Sequence, residues 1–202
     1  MRLYVLARHA ESVLNHENRV NGDPRVPAPL TERGREEAAV LGLQFRGLPL
    51  DACLHTQFGR TLETARIALE GRDVPLIEFE QLDDVRVGEL EGLTLDAYRA
   101  WKREHTRSDR FPGGESLDEA ARRYADAFRR MLELPHERVL VVCHEIPIRY
   151  ALNAAGRSDD LDAPVHTIPN ATPLLFDDGR LAEAAAGIDR LATEAPGTRS
   201  PR

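Results

Sequence analysis

At 202 residues, 42% hydrophobic and 30% charged, the chain is globular in composition and long enough for one well-buried core. Its formal charge of -7 and pI near 5.5 argue against a nucleic-acid or anionic-membrane surface, so any affinity for phosphate must be local. Cys53 and Cys143 each lie inside an apolar run and read as buried free thiols of a reducing compartment. The first apolar stretch is cut short by Arg8, His9 and Glu11, and no later segment approaches a membrane span; the expected location is the cytoplasm, with no membrane partner.

The first strand is the apolar run Leu3 to Ala7, and it ends in "RHAES" instead of turn residues. Residues 15–29 follow as a proline-punctuated loop, since "GDPRVPAP" suits neither a helix nor a central strand. A helix opens at Leu30 and Thr31, with Thr31 as N-cap, and runs to about residue 46; Ala38, Leu41 and Phe45 share one face. A second strand is expected over 52–55, a helix over 60–69, and a third strand over 75–79. Residues 81–92 are polar and irregular, and 93–106 look helical until "SDRFPGGES" breaks the pattern. Ser116 and Glu119 form a capping box for a long helix ending near residue 134. The continuously apolar run 138–143 is the clearest strand, buried on both faces, and it ends in His144. A helix over 148–155 stops at Gly156, a C-terminal cap. "TPLLFDDGRLAEA" suggests a final hairpin turning at Asp178-Gly179, and the domain, residues 1–187, is followed by an expected disordered tail, 188–202.

Strands alternating with helices imply an α/β fold, a mostly parallel central sheet with helices on both faces, which binds ligands outside the carboxyl ends of its strands. "RH" and "CH" both lie at such ends. A neutral imidazole is a nucleophile, an arginine fork contacts two phosphate oxygens at once, and a carboxylic acid can protonate a leaving alkoxide. The chain supplies His9 and His144, Arg8 and Arg60, and the carboxylates Asp83, Asp84 and Glu89, among which spacing alone does not choose. Taken singly, each has an ordinary reading as a surface pair, a solvated helix residue or a loop carboxylate, and His16, His55, His105, His136 and His166 keep such readings.

Six motifs in register, "RHAES" with Asn15, "LTERG", "TQFGRTLETA", "LDDVRVGELEG", "PGGES" and "VLVVCHEIPIR", resemble those of the histidine phosphatase superfamily, the phosphoglycerate-mutase-like fold, over residues 2–178. The resemblance implies an α/β sandwich and a phosphohistidine mechanism without cofactor, metal or nucleotide. It makes His9 the nucleophile, Arg8 and Arg60 the phosphate clamp, His144 the second histidine, Asn15 a further phosphate contact and Asp84 the acid. Two positions depart from the family: Ala10 stands where glycine is usual, and Asp84 where glutamate is commoner. Asp83 and Glu89 are therefore alternative donors.

Mutases of the family resemble longer chains, with a substantial insertion between acid and second histidine. This chain is short there, which favours hydrolysis of a small phosphomonoester. Within that segment Arg99, Lys102, the only lysine, Arg103, His105, Arg107 and Arg110 offer contacts to a second anionic group, or a solvated face, since Glu104 and Asp109 are interleaved. Rival classes fit less well. "HEIPIR" begins like a zinc motif, but Ile148 stands at the second ligand's place. No glycine-rich loop ends in Lys-Ser or Lys-Thr. A pure binding protein of this fold would not need Arg8, His9, Arg60 and His144 together.

Overall fold

The computed structural model describes residues 2–193. One five-stranded sheet is built from β1 (Leu3–Arg8), β2 (Ala52–His55), β3 (Leu76–Glu78), β4 (Arg138–Cys143) and β5 (Pro173–Asp177) in the order β3-β2-β4-β1-β5. The first four run parallel and β5 pairs antiparallel to β1 at the edge. Alternation along each strand sorts its side chains between two cores. Tyr4, Leu6, Leu54, Val139 and Val141 face one side, Val5, Ala7, Cys53, Leu140 and Val142 the other. This is why β4 reads as unbroken apolar sequence: it sits between β2 and β1 with both faces covered.

The first side is covered by α5 (Leu117–Glu133), α6 (Glu145–Ala155) and α7 (Asp178–Thr193), the second by α2 (Glu32–Gln44) and α3 (Gly59–Ala68). Thr31 caps α2 through the Gly34 amide, and the Ser116–Glu119 capping box starts α5, both as their sequences require. The single turn α1 (Val13–His16) overlaps the start of the expected loop, and α4 (Leu95–Glu104) has no fully buried residue. Helix α6 begins directly after His144; Pro147 falls in its first turn, where its missing N–H has no partner to lose. Cys53 and Cys143 are buried on opposite faces of the sheet, where burial pushes both thiols up.

The C-terminal hairpin and part of the tail are corrected by the structure. After β5 the chain turns into α7 at Asp178, with the Asp177 carboxylate accepting the Arg180 amide at 2.8 Å. Leu181, Ala184, Ala185, Ile188, Leu191 and Ala192 recur at helical spacing and bury against α5 and α6. Residues 188–193 are thus the last turns of a core helix. Burying Ile188 and Leu191 is worth about 1.5–3 kcal/mol each, enough to override the polar residues between them. The rest of the expected tail, 194–202, lies outside the described residues.

Candidate active site

Because β1 and β4 are parallel neighbours with Arg8 opposite Cys143, the residues that follow them, His9 and His144, emerge side by side. The His9 amide donates to the Cys143 carbonyl at 2.9 Å and the two imidazole centroids are 5.4 Å apart. Thr56 leaves the same sheet end one strand further along, directly after β2.

Arg60, in the first turn of α3 and only 3% exposed, ties the centre together. Its Nε donates to His9 Nε2 at 2.9 Å, and its Nη2 to His144 Nδ1 at 3.1 Å and to Asp84 Oδ2 at 3.3 Å. The Asn21 side-chain oxygen accepts from Nη1 and the Asn21 carbonyl from Nη2 at 3.2 Å. Burial lowers the Arg60 guanidinium to about 10, so it stays charged at neutral pH.

The tautomers follow from these contacts. His9 Nδ1–H donates to the Ala10 carbonyl at 2.8 Å, which leaves the Nε2 lone pair for the centre of the site. His144 accepts at Nδ1, so its proton is on Nε2 and is donated to Thr56 Oγ1 at 2.9 Å; the Thr56 hydroxyl is in turn 3.0 Å from that of Thr61. Burial first, then the charges of Arg60 and its neighbours, hold both imidazoles well below their ordinary pKa, hence neutral.

Asp84 extends from the irregular segment between two short 3-10 turns, Glu80–Leu82 and Gly88–Leu90. Besides Arg60, its Oδ2 faces His144 Nδ1 at 3.5 Å. Burial raises its pKa although the Arg60 charge opposes the shift. Asp83 points elsewhere, its carboxylate accepting the Gln57 amide at 3.0 Å, and Glu89 is exposed. Of the three carboxylates open at the sequence level, Asp84 is therefore the one joined to both histidines' arginine.

Two expected members sit differently. Arg8 flanks the pair, its Nη1 bonded to the Ile168 carbonyl at 2.8 Å and to Glu145 at 2.6 Å. Asn15 is engaged locally, its Oδ1 accepting from the Ser12 amide and hydroxyl at 3.3 and 3.1 Å in a capping box. Among the described residues no hydrogen bond joins Asn15 to His9, Arg60, Asp84 or His144. Asn21 contacts Arg60 instead. It is carried there by a loop whose Gly22 and Asp23 amides donate to Glu91 at 2.6 and 3.0 Å. A Cβ at Gly22 would stand 2.1 Å from the Val85 carbonyl oxygen, so only glycine lets this loop approach the Asp84 segment.

Asn21, Thr56, Glu145 and Asn170, whose amide donates to the His9 carbonyl at 2.7 Å, escape sequence reasoning. Only Thr56 carried a usable signal: it follows an apolar strand as His9 and His144 do. Three arginines of the basic segment 99–110 are already paired with neighbouring carboxylates. Arg99 bonds Asp96, Arg110 bonds Glu119, and Arg107 bonds Asp118, Asp162 and the Tyr150 hydroxyl, while His105 stacks on Trp101.

Among the described residues no three His, Cys, Asp or Glu side chains come together as a metal cluster, and no helix is long and apolar enough to cross a membrane. What the geometry holds is a neutral imidazole, a buried arginine, a second imidazole and a carboxyl group around one point, the components of phosphoryl transfer through histidine.

The chain belongs to the histidine phosphatase superfamily (branch 1), whose family model matches residues 4–177. It is 35% identical over 167 residues to 2,3-bisphosphoglycerate-dependent phosphoglycerate mutase 2 of Gloeobacter violaceus, a match covering 75% of this chain and 74% of that one. Among solved structures it is similar to Bacillus stearothermophilus YhfR, with 28% identity and a TM-score of 0.76 over 87% of this chain and 90% of that one. The alpha-ribazole phosphatase of Shigella flexneri shares the fold, at 23% identity and a TM-score of 0.76 over 87% and 90%. A mutase-named protein is thus a relative of this chain, and a phosphatase-named one shares its fold.

Proposed function

We propose that the protein hydrolyses a small phosphomonoester in two displacements. The observation that carries this is the state of His9: 2% exposed, neutral, its Nδ1–H held by the Ala10 carbonyl and its Nε2 presented to Arg60. On arrival of a phosphoryl group, the Arg60 Nε–H moves from the imidazole to a phosphoryl oxygen and frees the Nε2 lone pair. His9 Nε2 forms a bond to phosphorus as the ester P–O bond breaks, and the Asp84 carboxyl gives its proton to the departing oxygen. Water then attacks phosphohistidine and surrenders a proton to the Asp84 carboxylate, releasing phosphate. Arg8 and Arg60 supply positive charge and hydrogen bonds to the equatorial oxygens, His144 lines the pocket as the second, neutral imidazole, and Asn15 is the further contact the family pattern suggests.

Hydrolysis is favoured over return transfer by the segment between Asp84 and His144. A mutase must retain a bisphosphorylated intermediate, whose second phosphate needs cations of its own. Here Arg99, Arg107 and Arg110 are already matched to carboxylates, and α4 is a single helix of 10 residues. The mutase reading rests on the names of relatives, phosphoglycerate mutases 35% and 32% identical to this chain, and of a 26% identical solved structure. Rapid acid quench with a labelled phosphomonoester tests both. The wild type should carry acid-labile, base-stable phosphate and release inorganic phosphate in step with substrate loss. An isomerised ester accumulating in place of phosphate would establish the mutase, and no phosphoenzyme at any quench time would overturn the histidine mechanism.

A further inference from the structure

Asp84 reaches the histidines from a segment with no regular structure, and such a segment places a carboxylate accurately only when its peptides are held from outside. One side chain does most of that holding. Arg123, in the middle of α5, donates from Nη1 to the carbonyls of Gln81 at 3.0 Å and Asp83 at 2.9 Å, and from Nη2 to the carbonyl of Asp84 itself at 3.2 Å. Its Nη2 is also paired with Glu115 at 2.5 Å, and the same Glu115 oxygen accepts the Arg86 amide at 3.0 Å. The neighbouring Tyr124 hydroxyl adds a bond to the Asp83 carbonyl at 3.0 Å. Gly114 presses the Glu115 turn onto the same segment; a Cβ there would stand 2.2 Å from the Arg86 carbonyl oxygen.

Reading Asp84 as the proton donor, we propose that Arg123, anchored by Glu115, is a positioning residue that latches segment 81–86 and so aims the Asp84 carboxyl at the leaving oxygen. The planar guanidinium is suited to this because its donors diverge at fixed angles. Gripping the carbonyls on either side of the Asp84 Cα sets the plane of both peptides, and with them the direction in which the Asp84 side chain leaves the chain. A lysine ammonium has the charge but not the fork. The latch acts on backbone atoms, so it imposes no requirement on the side chains of Gln81 or Arg86.

The test separates a latch on the acid from a general structural contact. Phosphoryl transfer to the enzyme is followed by single-turnover kinetics with an alkyl phosphate, which needs a proton on its leaving oxygen, and with nitrophenyl phosphate, which does not. Arg123→Gln should slow the alkyl reaction by about 10- to 100-fold and the aryl reaction by less than about threefold, a window set by the usual worth of general-acid catalysis. In an Asp84→Asn background, Arg123→Gln should cost the alkyl reaction less than about twofold, because misplacing an absent proton has no further effect. Arg123→Lys should recover little of the alkyl rate. Should Arg123→Gln fail to fold, Glu115→Gln, which loosens the anchor and leaves the guanidinium, should show the same leaving-group pattern at smaller amplitude. Equal losses for both substrates, or additive losses in the double variant, overturn the latch while leaving Asp84 as the acid. Equal losses for both substrates in Asp84→Asn alone overturn the acid assignment and the latch with it.

Discussion

The two halves of the site are held by different means. His9 and His144 leave adjacent parallel strands, so the backbone ladder that pairs Arg8 with Cys143 fixes their separation before any side chain is considered. Asp84 belongs to a segment between 3-10 turns, and its place depends on Arg123, Glu115 and Tyr124 reaching across from α5 and its N-terminal turn. The histidine half therefore inherits the rigidity of the sheet and the acid half that of a few side-chain bonds. A strand end places a nucleophile where all substrates need it. A loop held from behind can place a carboxylate of different length without disturbing the sheet.

The largest effect expected bears on the strand half. His9→Ala should lower turnover by roughly 10³–10⁶-fold, the scale on which a nucleophile working within a unit is lost, and should abolish the acid-labile phosphate with both alkyl and aryl substrates. An unchanged far-UV spectrum would show that the sheet is intact. Residual turnover within about tenfold of wild type would place the nucleophile elsewhere.

For the loop half the effect is smaller and depends on substrate. Asp84→Asn should slow phosphoryl transfer from alkyl phosphates by roughly 10²–10⁴-fold and from nitrophenyl phosphate far less. The pH profile sharpens this. Burial raises the Asp84 pKa, so the proton needed for transfer persists above the ordinary carboxylate range and is lost as pH rises through the raised value. His9 is held well below 6.5, so its protonation removes the nucleophile only well on the acid side. The alkyl reaction should accordingly show an alkaline decline that Asp84→Asn erases, and an unchanged decline in that variant would assign the limb to another group.

The smallest effect sets neighbours on the loop against each other. Burial pushes Asp83 up to about 6 from 3.8, so the folded protein binds this proton more tightly than the unfolded chain. The ionised form is then a burden on folding, absent below the unfolded pKa and fully present above the folded one. Asp83→Asn should stabilise the protein at pH 8 by about 1–3 kcal/mol, the bond to the Gln57 amide being retained by the amide oxygen, with the gain vanishing near pH 4. Its leaving-group dependence should match wild type. Paired thermal melts at the two pH values check the first claim. A selective loss on alkyl phosphates would sink the second by making Asp83 part of the donor.

The sequence by itself determined what rests on short-range spacing. The unbroken apolar runs 3–7 and 138–143 specified buried strands, Thr31 and the Ser116–Glu119 pair specified helix starts, and the position of His9 and His144 just past two such strands put both at one sheet end. The resemblance put the acid at Asp84 with Asp83 and Glu89 as alternatives; only the tertiary structure shows that Asp84 bonds Arg60 while Asp83 turns to the Gln57 amide, because that depends on which carboxylate Arg60 can reach from another element. Likewise Asn21, not Asn15, became the partner of Arg60, since Asn15 closes its own turn with Ser12 while Glu91 and Gly22 bring Asn21 in from a loop. The final helix was misread as a hairpin and tail because Asp178-Gly179 is a good local turn. The competing signal, an apolar stripe from Leu181 to Ala192, gains its free energy only when α5 and α6 are there to cover it.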